Sequence, residues 1–324
     1  MSLQIYNSEI YTSLTELVDE KVQLFNEASG GTIKLISGAA NPGDVAEEAY
    51  YEYLGGLVRD RDHTDRASTV AALDLNHLID ISVKISKGTP PVNIPPDLWM
   101  RINRSPEEAA QVVAEQLAGD VFQDLLKDGL AACIASIRNA DNGDGLLIHD
   151  ATNGADTGIL THRGLNSGAR LFGDRATAIK AWIMHSGPLH DLYDNALQNS
   201  ERLFQFENVQ VIQDGFGRRL IVTDAAPLVN TGSPEGFNTL GLVEGAIQVE
   251  QNSDFFANVD TENGGENIER TWQAEWTNQV NVKGFTWDKT VAQPVTAAKL
   301  ADEANWTKLA TSNKDTAGVM VTSD

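Results

Sequence analysis

One stretch, Ser105 to about Ala140, limits what this chain can fold into more than any other. It opens on Ser105-Pro106-Glu107-Glu108. Ser105 is able to cap orphan N–H groups, Pro106 suits the first helical position, and Glu108 is placed to close a capping box. Apolar residues then recur at three- and four-residue spacing: Ala109, Val112, Val113, Leu117, Val121, Phe122, Leu125, Leu126, Leu130, Ile134 and Ile137. Glu115, Gln116, Asp120, Gln123, Asp124 and Lys127 fall mostly between them, which predicts an amphipathic helix. The run Asn139-Ala140-Asp141-Asn142-Gly143-Asp144-Gly145 stops it. At 1.5 Å per residue such a helix is roughly 50 Å long, against a usual length of about 11–12 residues. Gly119 and Gly129 each cost about 1 kcal/mol relative to alanine and mark bends or close contacts. Two readings stand on this spacing: the core helix of a large α+β domain, or a long spine on which the rest of a large subunit is hung.

Charge removes several classes of function. The 324 residues include 24 Lys plus Arg against 46 Asp plus Glu, a formal net charge of -22. Such a surface repels phosphates and anionic membranes, so sequence-independent binding of DNA or RNA is not expected. No run of about 18 apolar residues offers a membrane span. Met1-Ser2-Leu3-Gln4-Ile5-Tyr6 lacks the basic and apolar regions of a signal peptide, so the expected compartment is the cytoplasm. Cys133 is the single cysteine and sits on the helical pattern, where a small buried hydrophobe is its ordinary role.

Before the long helix lie a helical stripe (Leu14, Leu17, Val18, Val22, Phe25) broken at Gly30-Gly31, and a strand at Thr32–Ile36. An acidic, aromatic patch follows, with Tyr50, Tyr51 and Tyr53, and then the solvated Arg59-Asp60-Arg61-Asp62-His63. Asp80 to Ile85 alternates strictly, as a half-buried strand does. A strand that leaves, a loop and a strand that returns make this region a candidate excursion from the core. After the helix the pattern is mixed. Short strands are expected near Gly145–Asp150, Ala181–His185, Val209–Ile212 and Arg219–Thr223, and helices at Leu165–Leu171 and Pro188–Leu197. Leu240–Glu250 alternates, residues 252–268 are polar, Thr271–Trp287 reads as one long strand, and the tail reads as a short helix and a loose end.

Catalytic chemistry is not visible. His185 and His190 lie across a Gly-Pro break, not on the i, i+4 face of a zinc helix. His149 and His162 lack a Gly-x-Ser-x-Gly nucleophile. Asp141–Gly145 has a calcium-loop flavour, but Gly143 takes a ligand position and the closing glutamate is missing. No phosphate-binding or dinucleotide-binding glycine pattern is present. The expectation is no catalytic, cofactor-binding or metal residue. Tyr50, Tyr51, Tyr53, Trp272 and Trp276 are the candidate assembly contacts, because aromatic residues are enriched in interfaces; ordinary core aromatics are the equal alternative.

The order of several segments carries a resemblance. Ala181-Trp182-Ile183-Met184-His185-Ser186, the following helix with Leu189 and Tyr193, and Leu220-Ile221-Val222-Thr223-Asp224 resemble segments of the major capsid proteins of tailed bacteriophages. So do Gly55-Gly56-Leu57-Val58, Val83-Lys84-Ile85-Ser86, Lys283-Gly284-Phe285-Thr286-Trp287-Asp288, Asn305-Trp306 and Asn313-Lys314-Asp315. Each piece is short, and their collinearity over nearly the whole chain makes the match.

The resemblance implies an α+β, Hong Kong 97-like fold with an N-terminal arm (1–31), an extended loop region (32–92), a peripheral domain (93–144 and 251–324, with spine helix 105–140) and an axial domain (145–250). It implies self-assembly into hexamers and pentamers of an icosahedral, DNA-filled head, built in the host cytoplasm. A separate scaffolding protein, a portal protein and a cement or decoration protein are the implied partners. The lysine–asparagine cross-linking motif of some members has no counterpart here, and no such chemistry is expected. An encapsulin-like nanocompartment shell and an acidic cytoplasmic α+β enzyme are the alternatives.

Overall fold

The computed structural model describes residues 3–39, 43–51, 57–64, 69–93, 106–152, 158–194, 201–206, 209–213, 219–230, 236–263, 266 and 268–324. Helix α1 (Leu3–Ala28) precedes strands β1 (Ile33–Ala39), β2 (Val45–Tyr51), β3 (His77–Gly88) and β4 (Val92–Asn93). The long helix α2 (Pro106–Asp141) follows, then β5 (Ile148–Asp150), α3 (His162–Arg170), β6 (Ile179–Met184) and α4 (Ser186–Asp194). Next come β7 (Glu201–Phe206), β8 (Val209–Gln213), β9 (Arg219–Thr223), β10 (Val229–Asn230) and β11 (Gly236–Val243). The chain ends with β12 (Ile247–Asn252), β13 (Phe256–Glu262), β14 (Glu269–Val282), β15 (Phe285–Trp287), α5 (Ala297–Leu300), β16 (Trp306–Lys308) and β17 (Gly318–Ser323).

Among the described residues two sheets dominate. The first runs β1-β12-β14-β3-β2, with β13 and β4 flanking the start of β14. The second runs β5-β17-β11-β6-β9-β8-β7, with β10 on β11. Buried apolar residues from both sheets, α1 and α2 form one connected core. The stripe of α1 lies against α2, where Phe25 meets Phe122 edge-on at 5.4 Å between ring centres. Asn26 brackets the start of β1, donating to the Leu35 carbonyl at 2.7 Å and accepting the Leu35 N–H at 3.0 Å. Arg219, from the second sheet, donates to the carbonyls of Glu27 and Ala28, both at 2.9 Å. Those are orphan acceptors at a helix end, so one guanidinium ties α1 to the second sheet.

The end of α2 shows what the Asp-Asn-Gly run does. Asp141 is buried, and its carboxylate accepts from the N–H groups of Gly145, Leu147 and Ile148 at 3.1, 2.6 and 3.0 Å. The carboxylate organises its own loop and leads the chain into β5. Gly129 is a close contact: a Cβ there would stand 2.7 Å and 2.9 Å from methyl groups of Ile247 and Val249, so its bareness lets α2 lie down on β12.

Several sequence expectations change. The alternating stretch Leu240–Glu250 covers parts of two strands. The chain turns at Gly245 (φ 65°) and crosses from the second sheet to the first. Thr271–Trp287 breaks at Lys283-Gly284 into β14 and β15. The polar stretch 252–268 contains β13, paired with β14 along its whole length. The tail is not loose. β17 lies between β11 and β5 with Val319, Met320 and Val321 buried. A strand covered on both faces shows no alternation, and that hid it. β1, assigned with the extended loop, and β12, assigned with 145–250, are both in the first sheet, whereas β17, assigned with 251–324, is in the second. The expected turn between β8 and β9, at Asp214–Gly217, lies outside the described residues.

Candidate assembly surface

β2 and β3 form an antiparallel pair in register from Val45↔Val83 to Tyr51↔His77. The inner part of β3 belongs to the sheet. Val83 to Gly88 pairs with Val280 to Glu275 of β14, and Ile81, Val83 and Ile85 are buried. The outer part is a ribbon of two strands among the described residues. Glu47, Glu48, Ala49 and Tyr51 are exposed on β2, as are His77 and Ile79 on β3. Tyr51 is 76% exposed. Beyond the ribbon, residues 57–64 and 69–76 are without helix or strand and exposed throughout. They include Leu57, Val70, Leu73, Leu75 and Val58, the last 94% exposed. A two-stranded ribbon is marginal alone in water, and five large apolar side chains gain nothing there. This surface needs a cover.

At the foot of the ribbon a polar cleft of about 590 Å³ is lined by Glu48, Tyr51, Asp80, Arg175, Lys283 and Asp315, among others. Arg175 is ion-paired to Asp315 across it. Burial, and then the nearby Glu48, raise the Asp80 carboxyl above its usual range, although Asn281 donates to it at 3.1 Å.

The candidate contact residues separate. Tyr51 is on the exposed ribbon. Tyr50 is on the same strand, and its side chain lies outside the described residues, as does Tyr53 altogether. Trp272 and Trp276 do not face solvent. They line the inner face of β14, Trp276 stacked on Phe255 at 5.9 Å. Their surface is spent on the protomer's own core, the alternative that the sequence left open for them.

Inside, sequence reasoning missed a charged cluster. Lys87, at the inner end of β3, stands astride two carboxylates one turn apart on α2. Its Nζ is 3.1 and 2.9 Å from the two oxygens of Asp124. It is 2.9 Å from each oxygen of Asp128. The Asp128 side chain is 3% exposed. Burial, and then Asp124, push its carboxyl up to about 6, against the opposing pull of Lys87 and the Asn278 amide. Burial pulls the Lys87 ammonium down, but Asp128 and Asp124 outweigh it and its pKa lies above the ordinary lysine value. The missed signal was phase: Lys87 falls on the same face as Ile81, Val83 and Ile85.

The residues weighed for chemistry are otherwise occupied. His185 lies between Ser186 and Asp224, with Nε2 3.4 Å from the Asp224 carboxylate. Its Nδ1 accepts the Gly187 N–H at 3.2 Å, and its ring stacks on Phe237 at 5.0 Å. That arrangement closes the start of α4. Burial pushes the Cys133 thiol up to about 12, an inert side chain of the core. No group of three His, Cys, Asp or Glu suited to a metal occurs among the described residues. No helix of the described residues is long and apolar enough to cross a membrane.

A comparison with curated protein sequences gives no match. The family described as "Major capsid protein 13-like" matches residues 2–320, almost the whole chain. The chain belongs to this capsid family. Solved structures agree on the fold. The capsid asymmetric unit of cyanophage Pam1 is 13% identical, with a TM-score of 0.53 over 91% of this chain and 91% of that one. The capsid of Ralstonia phage GP4 is 11% identical, with a TM-score of 0.52 over 90% of this chain and 87% of that one. The fold is the α+β, Hong Kong 97-like capsid fold. The protein is a structural major capsid protein of the phage head shell, it assembles with further copies of itself, and its place is the virion capsid.

Proposed function

We propose that this major capsid protein closes as hexamers and pentamers into an icosahedral head in the host cytoplasm, with a separate scaffolding protein, a portal at one vertex and a cement protein outside. It performs no catalysis in this reading. The ribbon of β2 and β3 with residues 57–76 is the extended loop. Helix α2 and the first sheet are the peripheral domain, the second sheet is the axial domain, and α1 belongs to the arm. Tyr50, Tyr51 and Tyr53 are the aromatic contacts that the loop brings to a neighbouring copy.

The observation that carries this is the uncovered ribbon, with its exposed tyrosine and five exposed aliphatic side chains, on a chain of a capsid family. Permanent interfaces above about 2,000 Å² are the size that extended segments supply. An acidic shell also avoids tight adhesion to the DNA it encloses.

Size-exclusion chromatography and negative-stain electron microscopy of the full chain, expressed with its scaffold, provide the test. One variant has residues 52–76 replaced by a short glycine-serine turn. The intact protein is expected to give capsomers and closed shells, and the variant folded subunits that do not close. Shells from the variant at the same yield would remove the loop from the assembly contacts.

A further inference from the structure

The Lys87–Asp124–Asp128 cluster has a charge count that does not close. Two carboxylates and one ammonium meet where Asp128 is almost wholly buried and Lys87 mostly so. One negative charge is unmatched, with Asp128 shut away from water and the Asp124 side chain 35% exposed beside it. Removing that charge costs a single proton. We propose that the cluster is a proton-operated latch, in which uptake of one proton fastens the inner half of β3 to α2 and its release slackens that attachment.

Among the described residues the surroundings offer no other balancing charge. On α2 itself the neighbouring Asp120 and Lys127 are exposed. From β3, alternation puts Lys84 on the face opposite Lys87. β14 contributes Trp276, paired with Lys87, and two positions on, the buried amide of Asn278, which acts on Asp128. β12 meets the helix through Ile247 and Val249 beside Gly129. α1 meets it through Phe25, while its Asp19 is taken by Ser37. The charges that act on Asp128 are Asp124 and Lys87.

The sign follows from which form the fold prefers. Asp128 holds its proton more tightly folded than unfolded. Its contribution is therefore full below the ordinary carboxylate pKa and lost as pH rises through about 6. Lys87, shifted upward, stays charged across this window. Acid thus tightens the attachment, the reverse of a simple buried salt bridge. Lys87 lies at the inner end of β3, and the buried Ile85, Val83 and Ile81 stand between it and the exposed ribbon. The latch is tested on unassembled subunits and stands or falls without the assembly reading.

The test is hydrogen–deuterium exchange of the full-length, unassembled chain at pH 5.5 and 7.5, corrected for the intrinsic chemical rate, read over residues 81–88 and 120–130. A carboxyl moved from 3.8 to about 6 makes local opening about fourfold more frequent at the higher pH. Asp128→Asn, a near-isostere of the protonated acid, is expected to abolish that difference and to be at least as protected as wild type at pH 7.5. Asp124→Asn, which also removes the unmatched charge, is expected to abolish it too. If both carboxamide variants open more readily than wild type at both pH values, or retain the fourfold difference, the cluster is an ordinary ion pair and the latch is wrong.

Discussion

The two halves of α2 look alike in sequence and live in different surroundings. From Gln111 to Asp120 exposed and buried positions alternate with helical period, as an amphipathic helix should. From Val121 onward the wet face narrows to Gln123, Asp124 and Lys127, and every residue from Asp128 to Ile137 is buried. α2 packs against α1, β12, β14, α5, β16 and β17, and its second half is the part that is buried all round. Its composition suits that position: Gly129, Ala131, Ala132, Cys133, Ala135 and Ser136 are small enough for neighbours to approach all round. Ser136 settles its hydroxyl by donating to the Ala132 carbonyl at 2.7 Å. The apolar stripe alone does not separate a one-sided helix from a fully enclosed one; the loss of charge between Asp128 and Arg138 does.

If this contrast is correct, substitutions should lose force from the enclosed half outward. Phe122→Ala removes a ring with no exposure that packs edge-on against Phe25 of α1. The expected loss is about 3–5 kcal/mol, read as a lowered urea midpoint of the unassembled subunit. A loss under about 1 kcal/mol would mean that α1 does not depend on this contact.

Gly129→Ala sets two effects against each other. Alanine in a helix interior is better than glycine by about 1 kcal/mol. The new methyl, however, meets γ2 methyls of Ile247 and Val249 at 2.7 and 2.9 Å. Those belong to stiff β-branched side chains on a strand fixed between β1 and β14, so they have little room to turn away. Overpacking of this kind costs about 1–3 kcal/mol, so a net loss of up to about 2 kcal/mol is expected. A gain in stability would show that α2 can lift from β12, and the enclosure of the second half would be looser than described.

How much of the fold is legible in the sequence depends on whether the deciding chemistry is local. The bounds of α2 are readable because its caps are local chemistry and its period is long. The strict alternation from Asp80 to Ile85 likewise marks the core of β3. β17 is hidden because both its faces are covered, and β12 because nothing in Leu240–Glu250 says that the chain changes sheets at Gly245. The charged cluster is half legible. Lys87 in phase with an apolar face is visible, but its partners are residues 124 and 128 of another element, and only the fold brings them together. The excursion of this region is legible in its charged loop and returning strand, but the exposure of its apolar residues is not, since the sequence of an interface resembles that of a core.

The mildest expected effect is on the open half of α2, and it tells most about assembly. Val112 belongs to the helical stripe, yet it is 51% exposed in the protomer. Val112→Gln should therefore change the subunit's urea midpoint by less than about 0.5 kcal/mol, as surface substitutions do. A side chain that is apolar, on the stripe and uncovered has its natural partner on a neighbouring copy. The expected result is an ordinary subunit whose yield of closed shells falls, scored by counting particles in negative stain. If the variant destabilises the subunit as much as Phe122→Ala, the two halves are equally enclosed and the comparison fails. If stability and shell yield are both unchanged, the open half of α2 faces solvent in the shell, and the contacts between copies lie on the ribbon instead.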